Sequence, residues 1–589
     1  MKIKNVLLVY PEFDTSFWSF KYTLKYVGKK SSMPPLGLLT LAGMFPKEYN
    51  LRLVDMNVRE LTNQDLQWAD LVCTSTMIVQ RRSLVRVIAH ARGMGKPICA
   101  GGPHPTSYWE EIEGVDYFLL GEVEETLSSF LEDLEQGIAQ HIYTPKERPA
   151  ITKTPMPRYD LINMRDYGSM LLQFSRGCPF DCEFCDITKL YGRIPRTKTN
   201  EQMLAEFQLL YNLGYRGSLF LVDDNFIGNR RDALRLLIPK KQDEKGLVEW
   251  QRERGYPFDL YTEASMNLVD HEELMDAMIA AGFTSVFVGI ETPTPEALIV
   301  TKKKQNVDKA DPEYPLHAIH TLQRKGMEVM GGFILGLDGD TENMFDLHIE
   351  FIKQAAIPIA MEGVLTVLKG TDLYFRMERE GRLRGDTTGT SIGTHLNFVP
   401  QIPEETLIAG YKRVLNAIYD ASLENYFERC WTLFQRLSYA DNPKTTLTPM
   451  SISECMRFLL ATSRQLVSRQ GPAYLQFLTR VITQKPSMIR KALALGAKGY
   501  HLRKITEQIT AVDNFKQYLA RISEHLREEF AKRAKDGNVR VRAYAAHIVS
   551  HVQREYARIH EDFRYNAEGA RTAFLNFLED SLKEYEPIT

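Results

Sequence analysis

Three cysteines lie close together in the sequence, at Cys178, Cys182 and Cys185. They follow the apolar run 170–174, which places them on a loop leaving the end of a predicted strand. Three thiolates in so short a stretch favour a multi-iron centre, and a cluster of four irons held by three thiolates keeps one iron open to another ligand. A structural zinc site would need a fourth protein ligand, and no further cysteine lies nearby. Buried small thiols, or part of a zinc ribbon, are the alternative interpretations.

The size and composition of the chain indicate a soluble protein of several domains. Its 589 residues are too many for a single core and predict about three domains. The net charge of -2 gives no general attraction to nucleic acid. The seven cysteines form no disulfide framework, which predicts a reducing cytosol. We find no long uncharged apolar stretch, so a transmembrane helix is not expected.

Residues 1–140 alternate strand-length apolar runs with helical patterns. The predicted strands are 6–10, 51–55, 71–74, 98–100 and 117–120, and the predicted helices include 36–44, 82–92 and 124–134. Such alternation is typical of a parallel, doubly wound, Rossmann-like sheet, whose ligands bind beyond the carboxyl ends of the strands. The candidate binding loops at those ends contain Thr74, Ser75, Thr76, Gly101, Gly102, His104, Gly121 and Glu122. Cys73 and Cys99 fall within strands and are interpreted as core thiols.

A second unit of alternating strands and helices follows an irregular linker. Residues 141–165 carry four prolines and no sustained period, which predicts the linker. Between 166 and 380 the predicted strands are 171–175, 218–223, 260–264, 285–290, 329–335 and 360–367. Thr199 and Gln202 form a capping box before a helix, and Thr294-Pro295 is a second helix start. Polar residues close these strands, among them Asp223, Asp224, Glu263, Ser265 and Glu291.

Residues 381–589 are predicted to be helical, with apolar spacing of three and four over 407–423, 452–467 and 512–532. Between 455 and 506 the chain has ten Lys or Arg and no Asp or Glu. This fits a surface resting on anionic lipid headgroups or covering the entry of a hydrophobic substrate. The alternative is a helical domain whose basic face pairs with acids elsewhere in the fold. Cys430 and Cys455 lie in helical stretches and are interpreted as structural.

The C-x3-C-x2-C loop, with Phe184 before its last cysteine, resembles the signature of radical S-adenosylmethionine (SAM) enzymes. The resemblance implies a [4Fe–4S] cluster held by Cys178, Cys182 and Cys185, whose open iron binds SAM and whose reduced form cleaves it to methionine and a 5′-deoxyadenosyl radical. It also implies a partial (β/α)6 barrel over 166–380, with its chemistry at the carboxyl ends of the strands. Around SAM it places Phe184, Asp223, Asp224, Glu263, Ser265 and Glu291. Each carboxylate is equally explained by a helix N-terminus or an ion pair at the barrel rim.

The first domain, placed directly before such a loop, resembles the cobalamin-binding module of cobalamin-dependent radical SAM enzymes. Segments 33–37, 101–104 and 121–124 carry this resemblance, and the loop residues named above are then the predicted cobalamin contacts. The D-x-H-x-x-G motif that supplies a lower histidine ligand in other cobalamin proteins is absent, so His104 is assigned no bond to cobalt. A domain that has lost its cobalamin is the alternative.

Within that family, residues 1–400 are most similar to the hopanoid C-2 methylase group, on segments 10–13, 174–180, 222–229 and 289–292. The resemblance implies methylation of an sp3 carbon of a hydrophobic, hopanoid- or lipid-like substrate. One SAM would methylate the cobalamin, and a second would supply the radical that removes a substrate hydrogen. The cofactors carry the reactive steps, so no catalytic side chain of the protein is named.

The same resemblance implies the partners and leaves three alternatives open. The expected partners are a hydrophobic small molecule and an electron donor such as flavodoxin or ferredoxin, with no nucleic acid. The expected location is the cytoplasm, with peripheral membrane contact through the C-terminal region. The alternatives are a tetrapyrrole or other substrate, a rearrangement without methyl transfer, and a non-catalytic cobalamin or Fe–S sensor.

Overall fold

The computed structural model describes residues 3–583 except 242, 309, 386, 388, 390–391, 394, 439–455, 458–459, 461, 464 and 535–537. Its first sheet has six parallel strands in the order β2-β1-β3-β4-β5-β6. They are β1 Asn5–Tyr10, β2 Asn50–Asp55, β3 Leu71–Ser75, β4 Ile98–Gly101, β5 Tyr117–Leu119 and β6 Ile142–Tyr143. The helices between them are α1 Lys21–Val27, α2 Leu36–Met44, α3 Asn63–Trp68, α4 Arg81–Gly93, α5 Pro103–Tyr108 and α6 Thr126–Gln136.

Both faces of this first sheet are covered. Val6 and Leu8 of β1 belong to one buried apolar cluster, and Leu7 and Val9 belong to the cluster on the opposite face. Side chains alternate between the faces of a strand, so β1 is buried on both sides and reads as a continuous apolar run. The prediction of a doubly wound parallel sheet is confirmed.

The predicted linker is irregular but firmly packed. Its first residues form β6, where Ile142 lies opposite Phe118 of β5, so a linker beginning at 141 is wrong by three residues. A two-residue strand is too short to give a sequence pattern. Beyond it, the Tyr167 hydroxyl donates to Asp55 Oδ2 at 3.0 Å, and the buried Tyr159 hydroxyl donates to the Leu171 carbonyl. The linker therefore ties the two sheets together.

The second sheet is a parallel, open barrel with strands in the order β7-β10-β11-β12-β13-β14. These strands are β7 Met170–Leu172, β10 Gly217–Leu221, β11 Phe258–Glu263, β12 Phe283–Glu291, β13 Glu328–Leu335 and β14 Ala360–Val364. Its helices are α7 Ile187–Leu190, α8 Asn200–Asn212, α9 Arg230–Leu237, α10 Leu247–Glu253, α11 Glu272–Ala280, α12 Pro295–Val300, α13 Tyr314–Arg324, α14 Met344–Gln354 and α15 Asp372–Arg379. Strands β7 and β14 each pair with one neighbour, so the barrel is partial, as predicted.

The first barrel strand is shorter than the predicted 171–175. It ends at Leu172, and the chain then forms a short antiparallel pair between β8 Ser175–Arg176 and β9 Arg196–Thr197. The reason is local, because the Asp223 carboxylate accepts the amide hydrogens of Phe174 and Ser175. Those amides are then unavailable to a parallel neighbour.

Two predicted helix starts are observed. Thr199 Oγ1 accepts from the Gln202 amide and Gln202 Oε1 accepts from the Thr199 amide, which is the reciprocal capping box expected before α8. Pro295 is the first residue of α12, as predicted, although the Thr294 side chain makes no capping hydrogen bond.

The C-terminal region is helical. Its helices are α16 Glu404–Ile418, α17 Glu424–Arg436, α18 Gly471–Gln484, α19 Ile489–Ala534, α20 Asn538–Arg558 and α21 Tyr565–Lys583. A single helix over 407–423 is wrong, because α16 ends at Ile418 and Leu423 adopts φ +59° in the turn before α17. The predicted helix 512–532 is part of α19, which has 46 residues. The prediction for 452–467 falls partly outside the described residues.

The three described cysteines outside the cysteine loop are buried, as structural thiols are. Cys73 and Cys99 lie opposite each other on β3 and β4, and Cys430 is buried in α17. This agrees with the interpretation of all three as core thiols. Cys455 lies outside the described residues.

Helix α19 joins the barrel to the segment that follows β1. Lys491 Nζ lies 2.7 Å from Glu328 at the start of β13, and His501 Nε2 donates to the carbonyls of Ser16 and Phe17 at 3.0 and 3.2 Å. Within the basic run, Arg480 also pairs with Glu428 and Lys504 with Glu507. Part of the basic run therefore meets acids of the same fold, as the alternative interpretation expects, and several large apolar side chains between 456 and 482 are exposed. Among the described helices, none is both long and apolar enough to cross a membrane.

His501 makes the stability of this junction depend on pH. It is fully buried, and burial lowers its pKa from 6.5 to about 4. Because the unfolded chain binds the proton more readily, the stabilisation is complete above pH 6.5 and is lost as the pH falls toward 4. We expect the free energy of unfolding to fall by about 2 kcal/mol between pH 7 and pH 5 through this group.

The measurement is urea unfolding at the two pH values for the parent protein and for His501→Gln. His525→Gln is the matched control, because His525 is exposed on the same helix. We expect the pH dependence to shrink in His501→Gln alone. An equal pH dependence in all three proteins would contradict this assignment.

Candidate active site

The cysteine loop begins where the first barrel strand ends, and backbone contacts fix it from both sides. The Cys178 amide donates to the Gly192 carbonyl at 3.2 Å, and the Glu183 amide donates to the Thr301 carbonyl at 3.0 Å. Gly177 adopts φ +99°, and a Cβ there would lie 2.8 Å from the Gly192 oxygen, so only glycine fits. Cys178, Cys182 and Cys185 are all partly exposed. The three cysteines therefore lie on a partly exposed loop at the carboxyl end of the barrel.

Two of the protein carboxylates that are predicted to surround SAM accept hydrogen bonds from the backbone of this loop. Asp223 Oδ1 accepts from the amides of Phe174 and Ser175 at 2.7 and 2.8 Å. Asp224 Oδ2 accepts from the Gly177 amide at 2.8 Å. Burial raises the pKa of Asp223 to about 7 and that of Asp224 to about 6, although the amide donors oppose the shift. Both side chains thus position the strand end from which the cysteines project.

Amide side chains point at the cysteine sulfurs. Asn225 Nδ2 lies 3.9 Å from Cys178 Sγ, and Gln305 Nε2 lies 3.5 Å from Cys182 Sγ. Asn225 also exchanges hydrogen bonds with Ser265, which links the ends of β10 and β11. Hydrogen bonds to the sulfurs are a usual means of tuning an iron–sulfur cluster. In the described part of the chain, no three His, Cys, Asp or Glu side chains converge as they would on a single metal ion.

A buried ion pair lies beside the cysteine loop. Lys303 Nζ donates to Glu291 Oε1 at 2.7 Å, and Glu291 adopts φ +67° at the end of β12. Burial acts to lower the pKa of Lys303, but Glu291 and the Cys182 thiol outweigh it and the pKa is raised. A Cβ on Gly289 would lie 2.9 Å from Lys303 Nζ, so this glycine leaves room for the pair. Lys303 therefore stays charged near the sulfurs.

The other predicted SAM residues lie at the same end of the barrel. The Glu263 carboxylate is partly exposed and makes no hydrogen bond within the described residues, and burial raises its pKa to about 8. Ser265 Oγ donates to Asn267 Oδ1 at 2.7 Å. Phe184 is partly buried against the main apolar core. The structure brings these residues and the cysteines together, and their contacts with SAM stay a prediction.

The candidate cobalamin loops meet at the carboxyl end of the first sheet. Gly102 adopts φ +95°, and a Cβ there would lie 2.8 Å from both Ser75 Oγ and the Thr76 amide. The buried Oγ1 atoms of Thr74 and Thr76 and Nδ1 of His104 have no hydrogen-bond partner among the residues that the structure describes. These loops are closely packed and carry unsatisfied polar atoms, as a site for a polar-edged ligand would. Burial, with Arg81 nearby, lowers the pKa of His104 to about 4, so its ring is neutral.

Glu122 is one of the predicted cobalamin residues, and its side chain is hydrogen-bonded to the barrel. Its two carboxylate oxygens pair with Arg176 and Arg196 of the barrel at 2.6–3.0 Å. Lys198 pairs in the same region with the buried Glu206. Arg196 and Lys198, two of the basic side chains after the cysteine loop, thus pair with carboxylates of the protein itself.

Comparison with known proteins agrees with this geometry. Family models match residues 29–131 (B12 binding domain), 172–352 (Radical SAM superfamily) and 371–515 (a domain of unknown function, DUF4070). An uncharacterized methyltransferase of Synechocystis is 39% identical over 89% of this chain and 96% of its own length. The hopanoid C-2 methylase of Rhodopseudomonas palustris is 35% identical over 72% of this chain and 79% of its own length.

The chain belongs to the cobalamin-dependent radical SAM family. It is a radical SAM methyltransferase, and its cofactors are a [4Fe–4S] cluster, SAM and cobalamin. The fold agrees, because the structure of the cobalamin-dependent SAM radical enzyme OxsB, with both aqua-cobalamin and SAM bound, superposes with a TM-score of 0.55 at 14% identity. That match covers 99% of this chain and 84% of the other.

Sequence reasoning missed three residues of this radical SAM site: Asn225, Lys303 and Gln305. Asn225 stands in the same strand-end run as Asp223 and Asp224, and its polar side chain was the available signal. Lys303 and Gln305 follow α12 in a basic run that gives no such signal, because only the fold brings it against the cysteine loop.

Lys303 is expected to set the reduction potential of the cluster in this radical SAM methyltransferase. A nearby positive charge favours the more negative, reduced state of the cluster. We expect Lys303→Met to make the midpoint potential of the reconstituted cluster more negative by roughly 50 mV. Spectroscopic redox titration gives this value directly.

Lys302→Met is the matched control for that titration. Lys302 is the adjacent lysine, it is half-exposed, and it pairs with Asp372. We expect its removal to leave the potential almost unchanged. Equal shifts in the two variants would show that Lys303 has no special influence.

Proposed function

We propose that this radical SAM methyltransferase methylates an unactivated sp3 carbon of a hydrophobic, hopanoid- or lipid-like substrate. When bound, the cofactors supply a 5′-deoxyadenosyl radical and a transferable methyl group. The 35% identity to a protein named hopanoid C-2 methylase supports this substrate class. The observation that carries the proposal is an aromatic pair that joins the segment after β1 to β12 of the barrel.

That aromatic pair is Trp18 and Phe287. Their ring centroids are 4.7 Å apart, and Trp18, from the segment after β1, is 39% exposed. A Cβ on Gly332 would lie 2.9 Å from the Phe287 ring, so the ring packs directly against this glycine of β13. Phe287 stands two residues before Gly289, and Gly289 faces the Glu291–Lys303 pair. An apolar substrate packed on these rings would have its reacting carbon near the polar end of the barrel.

The remaining side chains have positioning roles in this proposal. Cys178, Cys182 and Cys185 hold the cluster, while Asn225 and Gln305 donate toward its sulfur ligands. The Glu263 carboxylate, which makes no hydrogen bond to any described residue, would accept from the SAM ammonium group. Exclusion of water, rather than acid–base chemistry, is the main task of the protein around a radical.

The C-terminal region is proposed to bring a lipid substrate to the barrel. Several large aliphatic side chains are exposed between 456 and 482, on a stretch without acidic residues. They are Met456, Leu460, Val467, Leu475 and Ile482. Such a surface suits contact with an anionic membrane. A small electron-transfer protein, such as flavodoxin or ferredoxin, is the proposed source of electrons.

The test incubates reconstituted holoprotein with methyl-labelled SAM, a strong reductant, and hopanoid or other lipid substrates in anionic or neutral vesicles. We expect 5′-deoxyadenosine together with labelled lipid, and faster labelling with anionic vesicles. A sensor would give no 5′-deoxyadenosine, and a rearrangement enzyme would give it without labelled product. Labelling of an added tetrapyrrole, with none of lipids, would overturn the substrate class while leaving the reaction class intact.

A further inference from the structure

We propose that Glu122 is a positioning residue that fixes the cobalamin domain against the base of the cysteine loop. This inference rests on the proposed function, because methyl transfer to a substrate radical requires both cofactors to be held at one distance. It gives Glu122 a role other than contact with cobalamin. A buried group of four charged side chains at the junction between the two sheets supports this role.

Two glutamates of the first domain and two arginines of the barrel form this group, here called the junction cluster: Glu122, Glu124, Arg176 and Arg196. Glu122 Oε1 lies 2.6 Å from Arg196, and Glu122 Oε2 lies 2.8 Å from Arg176. Glu124 Oε1 lies 2.6 Å from Arg176. The Glu122 side chain is 4% exposed and that of Arg176 is 12% exposed. Water therefore weakens these pairs little.

On the barrel side, both arginines stand at the neck of the cysteine loop. Arg176 lies opposite Arg196 in the antiparallel pair of β8 and β9, so the chain between them forms a closed loop. Cys178 comes two residues after Arg176. One carboxylate that bridges the two arginines also neutralises the repulsion between them. Movement of Glu122 would therefore be transmitted to the loop that carries the cysteines.

On the side of the first domain, Glu122 directly follows Gly121 in one of the candidate cobalamin loops. Its neighbour Gly121 donates its amide to Thr106 Oγ1 at 2.9 Å, and Thr106 Oγ1 donates to the Gly102 carbonyl at 2.8 Å. Gly102 packs against Ser75 and Thr76 in the next loop. Short hydrogen bonds thus connect all three cobalamin loops to the junction cluster.

The consequence of loosening the junction cluster follows from the geometry of radical transfer. Displacing a reacting group by about 1 Å can reduce a rate by about 100-fold. Cleavage of SAM requires the cysteine loop, whose backbone is also held by Asp223, by Asp224 and by the β8–β9 pair, whereas methylation depends in addition on where the first domain sits. Loss of Glu122 should therefore reduce methylated product much more than 5′-deoxyadenosine.

The experiment compares Glu122→Gln with Glu111→Gln in the reconstituted holoprotein. Glu111 pairs with Lys369 across the same two domains at 3.0 Å but is partly exposed, so it is a matched control. We expect methylated product per 5′-deoxyadenosine to fall by about 100-fold in Glu122→Gln and to change little in Glu111→Gln. We also expect pulsed EPR to show a broader distribution of distances between cob(II)alamin and the reduced cluster in Glu122→Gln alone.

Two outcomes would overturn the inference. An unchanged distance distribution with normal product yield would exclude a positioning role. Loss of bound cobalamin with the distance unchanged in the remaining holoprotein would make Glu122 a cobalamin contact. If Glu122→Gln does not fold, Glu122→Asp, which keeps the charge on a shorter side chain, should still shift the distance distribution. The distance measurement needs no substrate, so it decides this point even if lipids prove not to be methylated.

Discussion

Replacing Cys182 with alanine is expected to abolish SAM cleavage by this protein. The cluster would keep two of its three thiolate ligands, and Gln305 Nε2 would lose the sulfur that it faces at 3.5 Å. Changes to residues around metal ligands alone cost 10–100-fold, so loss of a ligand should reduce 5′-deoxyadenosine formation by more than about 100-fold. The measurements are iron and sulfide content after reconstitution, the visible absorption of the cluster, and 5′-deoxyadenosine yield.

Cys430→Ala is the control for the loss of a thiol. Cys430 is buried in α17, within the C-terminal helices, so its removal leaves a small cavity and does not touch the cysteine loop. We expect lower thermal stability with normal iron content. A Cys182→Ala protein that kept its cluster and its SAM cleavage would refute the assignment of the loop.

The second large effect is expected for Asp223→Ala. The substitution leaves the buried amides of Phe174 and Ser175 without an acceptor. An unsatisfied buried donor costs about 1–3 kcal/mol, so we expect the free energy of unfolding to fall by about 2–5 kcal/mol. The strand end that carries the cysteine loop would also lose its position, and iron content after reconstitution should fall in parallel.

Two further variants separate the causes of the Asp223 effect. Asp223→Asn keeps an acceptor oxygen and should restore most of the stability and the iron content. Asp270→Ala removes a carboxylate of the same barrel that, within the described residues, accepts only from the Tyr314 hydroxyl near the surface, and should cost little. Urea unfolding and iron analysis measure both quantities. Equal losses in Asp223→Asn and Asp223→Ala would mean that charge, rather than hydrogen bonding to the backbone, is what matters.

Most of the two sheets could be predicted because local patterns and tertiary burial agree there. Strand β1 is apolar on both faces because both faces are covered, and the helix Leu36–Met44 was predicted at its observed bounds. The failures are elements with weak local signals. Strand β6 has two residues, and the break at Leu423 depends on a positive φ that no residue preference predicts for leucine.

At the site, residue types were predicted better than their roles. Asp223 and Asp224 do lie beside the cysteine loop, but their carboxylates bind backbone amides. Glu122 is predicted as a cobalamin contact, which stays a prediction, and its carboxylate pairs with two arginines that lie more than 50 residues later in the chain. A sequence shows which polar groups end a strand, but their partners depend on how separate loops meet in three dimensions. Lys303 is the opposite case. The sequence around it indicates no role, and it becomes significant only because the fold places it beside Glu291 and the cysteine loop.

The contact between His501 and the carbonyls of Ser16 and Phe17 has a consequence during protein synthesis. The partners are separated by 484 residues along the chain. At ribosomal rates of about 5–20 residues per second, the segment that bears Phe17 and Trp18 waits roughly 25–100 s for helix α19 to emerge. Throughout that interval the two carbonyls lack the imidazole that they contact in the folded protein, and Trp18 has no partner ring until Phe287 has been made, so the nascent segment offers a binding site to chaperones that hold exposed apolar segments.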